Sequence, residues 1–342
     1  MRIAFYSHNS FRYGGGLEKQ LRFISEALRK KGHNVKLYSL PISQDRKNLT
    51  NISVSESSSW SHNIDADVVY ITYHPLSSFL CKTSCPSIAG IHTQVFFLKR
   101  VSLKYGLIPF ASNIVYKMIG KKELQRFSAV HVNNKILAPL VSHPNVYYVP
   151  NWVDGSVYKP YPKDEDFTVA FVGRRLWQKG WDIFQKMIPL LKRENIRIKC
   201  VGKFDKMIDG VTYTGFLSSE ELARTYSSIH AVIYPTRADV FGNVIVESLL
   251  CGTPVITTRL NTRKGLELPL IYTDDEKDIL SRVLELKHLW LNYKTEFFER
   301  CDEYRSAAIK YDARVVIPKF ESMLEEVAKL AKREALGETM KR

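Results

Sequence analysis

The sequence predicts an α/β protein of two doubly wound domains, and three observations carry that prediction. Short apolar runs alternate with helix-period segments in both halves of the chain, the pattern of repeated βα units on a parallel sheet. Prolines and acidic residues between 150 and 166 interrupt every period and read as a linker. The length, 342 residues, suits two domains at roughly 100–200 residues each.

Each element follows from a local pattern. Ile3-Ala4-Phe5-Tyr6 is a short apolar strand, and Gly14-Gly15-Gly16 follows it after a polar loop. Leu17, Leu21, Ile24 and Leu28 then share one helical face, Gly32 stops that helix, and Val35-Lys36-Leu37-Tyr38 begins a second strand. Residues 42–63, with Ser55, Ser57, Ser58, Ser59 and Ser61, read as a surface loop. Further strands are expected at 68–71, 87–91, 129–132 and 146–149, and in the second half at 168–172, 197–201, 231–234 and 254–257. The boundaries are 1–154 and 155–311, with an amphipathic last helix, about 312–342, expected to pack back on the first domain. In open sheets of this kind, ligands bind beyond the carboxyl ends of the strands.

Composition narrows the class. Hydrophobic residues make up 45% and charged residues 25%, as in soluble globular proteins. The chain has no apolar run long enough to span a membrane, and the segment after Met1 turns polar too soon for an export signal, so a cytoplasmic location is expected. Five scattered cysteines, Cys81, Cys85, Cys200, Cys251 and Cys301, read as reduced thiols without zinc spacing, and no metal site is expected. The net charge of +15 must attract something acidic: nucleic acid, anionic lipid or a phosphorylated ligand.

Two segments carry chemistry. In Phe171-Val172-Gly173-Arg174-Arg175-Leu176-Trp177-Gln178-Lys179-Gly180 a strand ends at Gly173 and two cations follow. Arg174 offers a planar fork matched to phosphate oxygens, and Lys179 a mobile point charge. Residues 233–243 then lead into a helix over Val244–Leu250 that Gly252 closes, with Asp239 before the helix and Glu247 in its second turn. Free N–H groups at such a helix start bind anions. From the residues alone a second reading stays open, because helix starts favour acids anyway and a basic loop can be merely solvated.

The order of motifs decides further. Phe171-Val172-Gly173-Arg174 with Lys179-Gly180, then Tyr213-Thr214-Gly215-Phe216, then Asp239-x-Phe241-Gly242-Asn243-x3-Glu247, then Cys251-Gly252-Thr253-Pro254-Val255 closely resembles glycosyltransferase family 4 (glycosyl transferases group 1). Gly15-Gly16-Leu17-Glu18-Lys19 with Gly32-His33-Asn34-Val35 is similar to that family's amino-terminal signature. Val149-Pro150-Asn151-Trp152-Val153-Asp154 with Tyr158 and Pro160 is similar to its interdomain linker. The resemblance runs from residue 1 to about 258. It implies the GT-B fold, two Rossmann-like domains facing a cleft, the first binding the acceptor and the second the nucleotide sugar. It implies a hexosyltransferase that moves a hexose-type sugar with retention from a UDP- or GDP-linked donor to a hydroxyl of a glycan or lipid-linked acceptor, with no metal and no other cofactor.

Residue by residue, the resemblance gives Arg174 and Lys179 the donor diphosphate, Glu247 the ribose, and Asp239 the donor sugar. Gly16 would let the first loop approach the donor, and His92 would lie near the reacting sugar, although a strand-end histidine is often structural. Gly173, Gly215, Phe241, Gly242 and Asn243 complete the donor set, and Glu18 reads as an N-terminal helix acid. The sequence departs from the family at Asp239, where glutamate is usual, at Trp152 in the linker, and at Gly202-Lys203-Phe204-Asp205. Arg259-Leu260-Asn261-Thr262-Arg263-Lys264-Gly265 replaces a glycine pair, and reads either as cations for an acidic donor sugar or as a plain surface loop.

Between 99 and 126 the cations Lys99, Arg100, Lys104, Lys117, Lys121 and Lys122 interleave with Leu103, Leu107, Ile108, Ile114 and Met118. A basic face beside an apolar one suits an anionic membrane surface, so peripheral binding at the inner face of the cell membrane is expected. The rival is an ordinary amphipathic helix packed on its own domain. An inactive scaffold of the same fold and a nucleic-acid binder are the alternative functions, but the cations sit among aliphatics rather than in a nucleic-acid module, so no nucleic acid is expected. The glycines of Gly14-Gly15-Gly16 lack dinucleotide-binding spacing.

Overall fold

The computed structural model describes residues 1–11, 16–40, 56–59, 62–99, 101–204 and 206–339, with 331–339 described by backbone alone. It divides into two compact units, residues 1–151 with 316–342, and residues 152–315.

Unit 1 runs through β1 (Arg2–Ser7), α1 (Gly16–Lys30), β2 (Asn34–Ser39), β3 (Glu56–Ser58), β4 (His62–Ile64), β5 (Val68–Thr72), α2 (Ser77–Leu80), β6 (Cys81–Thr83), β7 (Ser87–Ile91), α3 (Leu107–Val115), α4 (Lys121–Leu124), β8 (Ala129–Val132) and β9 (Val146–Tyr148). Its main sheet has the order β3-β2-β1-β5-β7-β8-β9, and every pairing is parallel. β5, β7 and β8 are buried along their whole length, which is why they read as continuous apolar runs rather than alternating ones. α1 lays Leu21, Ile24 and Leu28 on the sheet, and Gly32 (φ +89°) makes the turn into β2.

The serine-rich segment departs from its expected loop. Glu56–Ser58 is an edge strand parallel to β2, and His62–Ile64 pairs with Cys81–Thr83. Glu56 fixes the edge by accepting from the Ser39 hydroxyl at 2.7 Å and the Phe11 backbone N–H at 3.0 Å. Ser55 and Ser61 lie outside the described residues.

Unit 2 contains β10 (Thr168–Val172), α5 (Trp181–Arg193), β11 (Arg197–Val201), β12 (Thr212–Gly215), α6 (Ser219–Ser228), β13 (Ala231–Tyr234), α7 (Asn243–Leu250), β14 (Val255–Thr258), α8 (Asn261–Lys264), β15 (Ile271–Thr273), α9 (Glu276–Asn292) and α10 (Lys294–Ala308). Its order, β12-β11-β10-β13-β14-β15, is all parallel and reverses direction between β10 and β13. That is the doubly wound Rossmann arrangement, whose crevice opens where the order reverses. A capping box, Ser218 with Glu221, starts α6. The segment before β10 is pinned within this unit. Val153 bridges Asp312, Tyr158 joins the core, and a Cβ on Gly155 would overlap the Asp312 carboxylate.

α11 (Ala313–Thr339) carries Val316, Phe320, Met323, Leu324 and Val327 as buried residues. Within unit 1 Phe320 stacks on Phe5 at 6.4 Å, and Glu321 pairs with His33 at 2.8 Å and with Lys31.

Candidate functional site

The reversal point of unit 2 gathers the charged residues. The turn after β10 passes through Gly173 (φ +144°) and Gly180 (φ +72°), conformations that L side chains rarely adopt. It lies against the loop after β13. Arg237 N–H and the Thr236 hydroxyl both donate to the Gln178 carbonyl, at 2.8 and 2.9 Å. The Arg237 guanidinium grips Asp182 with two bonds of 2.6 and 2.8 Å and also donates to the Trp177 carbonyl. A Cβ on Gly180 would overlap the Pro235 carbonyl oxygen, so the approach of the two loops requires glycine there.

This seating carries Lys179 to Asp239. The ammonium donates to the carboxylate at 2.9 Å and to the Tyr234 hydroxyl at 3.0 Å, and Tyr234 also donates to Asp239. Arg263 lies behind them at 1% exposure, bonded through Nη1 to the Phe241 carbonyl at 3.2 Å, with its guanidinium 5.6 Å from the Tyr234 ring centre. Burial works to raise the Asp239 carboxyl, but the charges of Lys179 and Arg263 and the Tyr234 hydroxyl outweigh it and hold it at about 2. Burial works against the Lys179 ammonium, yet Tyr234 and Asp239 raise it above its ordinary value. Burial, then Asp239, pushes the Tyr234 phenol up to about 12. The cluster is therefore two cations and one anion at neutral pH.

The other sequence-predicted residues take distinct places. Arg174 is exposed, with no ion pair among the described residues. Gly242 (φ +77°) is the residue before α7, and a Cβ there would press on Arg263 at 3.0 Å. Asn243 opens α7, and Glu247, one turn on, accepts from the Tyr226 hydroxyl at 3.0 Å. Gly215 (φ +72°) bridges Gly202. Phe241 departs from the expected donor set: the residue is 2% exposed, its ring packs edge-on to Tyr311 at 5.2 Å, and its carbonyl accepts from Arg263. The surface-loop reading of Arg259–Gly265 is also corrected at Arg263, which α8 turns inward. Tyr234, Arg237 and Arg263 form this site as much as the predicted residues do, and no periodicity marked them.

Unit 1 has a separate cavity of about 180 Å³ beyond the carboxyl ends of β5 and β7, lined by Leu17, Thr72, His74, His92, Phe96 and Ile108 among others. No Lys, Arg, Asp or Glu lines it among the described residues. Burial, then the neighbouring His131 and His74, holds the His92 imidazole down at about 3, and burial likewise lowers His74. Gly16 is the exposed first residue of α1, beside Leu17 of the cavity wall. Gly14 and Gly15 lie outside the described residues. Glu18 is 4% exposed in the first turn of α1 and accepts from the Asn9 side chain at 2.9 Å.

The basic segment is not one helix. It runs through a 3-10 turn at Leu103–Tyr105, α3, a π turn at Tyr116–Gly120 and α4. Tyr116, Asn113, Glu123 and Leu124 face inward, and Glu123 anchors the segment by accepting from the Tyr73 hydroxyl and from Leu76 and Ser78 N–H groups at 2.9–3.0 Å. Leu107, Ile108 and Met118 are 74–77% exposed, and Leu103 60%. Lys99, Lys104, Lys117, Lys121 and Lys122 are exposed beside them, with Lys117 donating to the Lys99 carbonyl, while Arg100 lies outside the described residues.

Residues 166–288 match the family model for glycosyl transferases group 1. The gpi3 subunit of phosphatidylinositol N-acetylglucosaminyltransferase from Schizosaccharomyces pombe is 25% identical over 260 residues, covering 66% of this chain and 55% of that protein. A GDP-mannose-dependent alpha-mannosyltransferase from Corynebacterium glutamicum is 32% identical over 144 residues, covering 39% of this chain and 33% of that protein. The chain thus spans about half the length, or less, of these curated relatives. Among solved structures, sucrose-phosphate synthase from Thermosynechococcus elongatus aligns with a TM-score of 0.76 at 16% identity, covering 96% of this chain and 99% of that one. Anabaena Alr3699/HepE in complex with UDP and glucose aligns at 0.71 and 16% identity, covering 95% and 100%. The fold is GT-B.

Proposed function

We propose that this chain is a glycosyltransferase that moves a hexose-type sugar, with retention, from a nucleoside diphosphate sugar to a hydroxyl of a glycan or lipid-linked acceptor, without a metal. The observation that carries the reading is the seating of the 173–180 turn on the 235–239 loop, which sets Lys179 and Asp239 2.9 Å apart beside the start of α7. Diphosphate and sugar are the two halves of a donor, and this site offers cations and N–H groups to one and a carboxylate to the other.

In the proposed reaction the bond between the sugar C1 and the β-phosphate oxygen breaks, and its electron pair stays on that oxygen. Arg174, Lys179 and the helix N-terminus hold positive charge where the negative charge develops. The acceptor hydroxyl attacks C1 from the face the phosphate leaves, and its proton passes to the departing phosphate oxygen. The balance therefore closes without a carboxylate base. Glu247 is the group for the ribose, and Asp239 for the sugar hydroxyls. The exposed Leu103, Leu107, Ile108 and Met118, flanked by lysines, support an acceptor met at the anionic inner face of the membrane.

A thermal-shift screen against UDP-, GDP- and ADP-sugars tests the donor. The right one at 100 times its dissociation constant stabilises the protein by about 2.7 kcal/mol. Transfer should fall by roughly 100- to 1,000-fold in Arg174→Ala and Asp239→Ala, and should persist in EDTA. Wild-type rates in both variants would place the reaction elsewhere.

A further inference from the structure

The unit 1 cavity sits at the end of a buried hydrogen-bond chain whose direction is fixed. His131 Nε2 lies 2.7 Å from the Val149 carbonyl, which can only accept, so Nε2 carries the proton. Burial holds the His131 imidazole down at about 4, so it is neutral and its Nδ1 is a bare lone pair. The Tyr70 hydroxyl lies 2.7 Å from that Nδ1 and must donate to it. Its single proton is then spent, and His92 Nε2, also 2.7 Å away, must donate to the phenol oxygen. Neutral His92 is left with Nδ1 as a lone pair, and that nitrogen has no partner among the described residues.

The surroundings are built around this chain. Tyr70, Gly90 and His131 lie on β5, β7 and β8, with Gly90 in register with both Thr72 and His131. A Cβ on Gly90 would overlap the Tyr70 hydroxyl, so glycine leaves the space the phenol needs. Phe320 packs against both Tyr70, at 5.2 Å, and His131, at 5.6 Å.

We infer that Tyr70 and His131 are positioning residues that lock His92 with its proton on Nε2, so that its Nδ1 serves as an obligate acceptor for an uncharged hydroxyl-bearing group in this cavity. Among the described residues no Lys, Arg, Asp or Glu lines the cavity, which agrees with a neutral ligand, since a phosphate or carboxylate would find no counter-ion among them. The inference rests on the glycosyltransferase reading only in naming that hydroxyl as one of the sugar or the acceptor.

The test reads the proton directly. In long-range 1H–15N spectra of the full chain labelled with [15N]histidine, with His92 assigned by its absence in His92→Asn, the wild type should show one tautomer protonated at Nε2. Tyr70→Phe should average the two nitrogens. His131→Phe should free the Tyr70 hydroxyl to donate to His92 Nε2 and so move the proton to Nδ1, an inversion that general loosening does not produce. Both variants should lower the transfer rate by about tenfold, the loss of one hydrogen bond. A wild-type proton on Nδ1, or a tautomer unmoved by both substitutions, overturns the inference. The two readings fail separately. No stabilisation by any nucleotide sugar overturns the glycosyltransferase reading, whereas a wrong His92 tautomer overturns the relay alone.

Discussion

Unit 1 and unit 2 are wound alike, yet the described side chains at their crevices differ in kind. Each sheet is parallel and reverses its strand order once, after β1 and β5 in unit 1 and after β10 and β13 in unit 2. In unit 2 that place holds Lys179, Asp239 and Arg263 as charged groups. In unit 1 it holds His8 and His74, imidazoles that burial keeps neutral. Topology decides where a ligand can lie, and a handful of loop and strand-end side chains decide what it can be.

The largest effect is expected at Lys179. Lys179→Ala should lower the transfer rate by roughly 100- to 1,000-fold and weaken nucleotide-sugar binding in calorimetry. An equal loss in His92→Ala with no change in Lys179→Ala would reverse the roles given to the two crevices.

Asp239→Asn comes next, because it leaves Lys179 and Arg263 without their anion. The pair is partly exposed, at 25% and 18%, so the cost should fall below that of a fully buried pair, at about 1–3 kcal/mol. The sign with pH follows from a folded carboxyl held at about 2 against an ordinary 3.8. The Asp239 contribution is complete above 3.8 and is lost as pH falls through about 2. Urea midpoints should therefore separate wild type from Asp239→Asn at neutral pH, draw together below 3.8 and converge below about pH 2. A constant gap across that range would contradict the pairing.

Gly180→Ala acts on geometry alone, pushing the 173–180 turn off Pro235. It should cost about 1–3 kcal/mol, read as a fall in melting temperature, together with slower transfer. The smallest effect is expected at the surface of unit 1. Replacing Leu107 and Met118, which do not line the cavity, with serine should weaken binding to anionic vesicles severalfold in flotation, while leaving nucleotide-sugar stabilisation intact. Wild-type protein that stays off anionic vesicles would remove the membrane proposal.

Much of the fold was legible because parallel strands buried on both faces are written as apolar runs, as in Val68–Thr72 and Ala231–Tyr234. Glu56–Ser58 and Thr212–Gly215 escaped notice, since edge strands with half-exposed polar residues carry little apolar signal. In the charged crevice Arg174, Lys179, Asp239 and Glu247 stood out as cations and acids in motif order. Arg263 did not, because nothing in a run of polar residues tells that α8 turns its guanidinium to 1% exposure. Tyr70 and His131 were hidden for the converse reason, as polar atoms inside apolar strands whose partners are 22 and 61 residues away.

The bond between Lys179 and Asp239 also makes the two halves of the proposed donor interdependent. Without ligand each charge satisfies the other, and a diphosphate that draws the ammonium away leaves the carboxylate short of a donor. A sugar hydroxyl refills that shortage; a nucleoside diphosphate alone does not. The site should therefore discriminate between loaded and spent nucleotide through an exchange of partners, favouring the intact donor before reaction and release of the bare diphosphate after it.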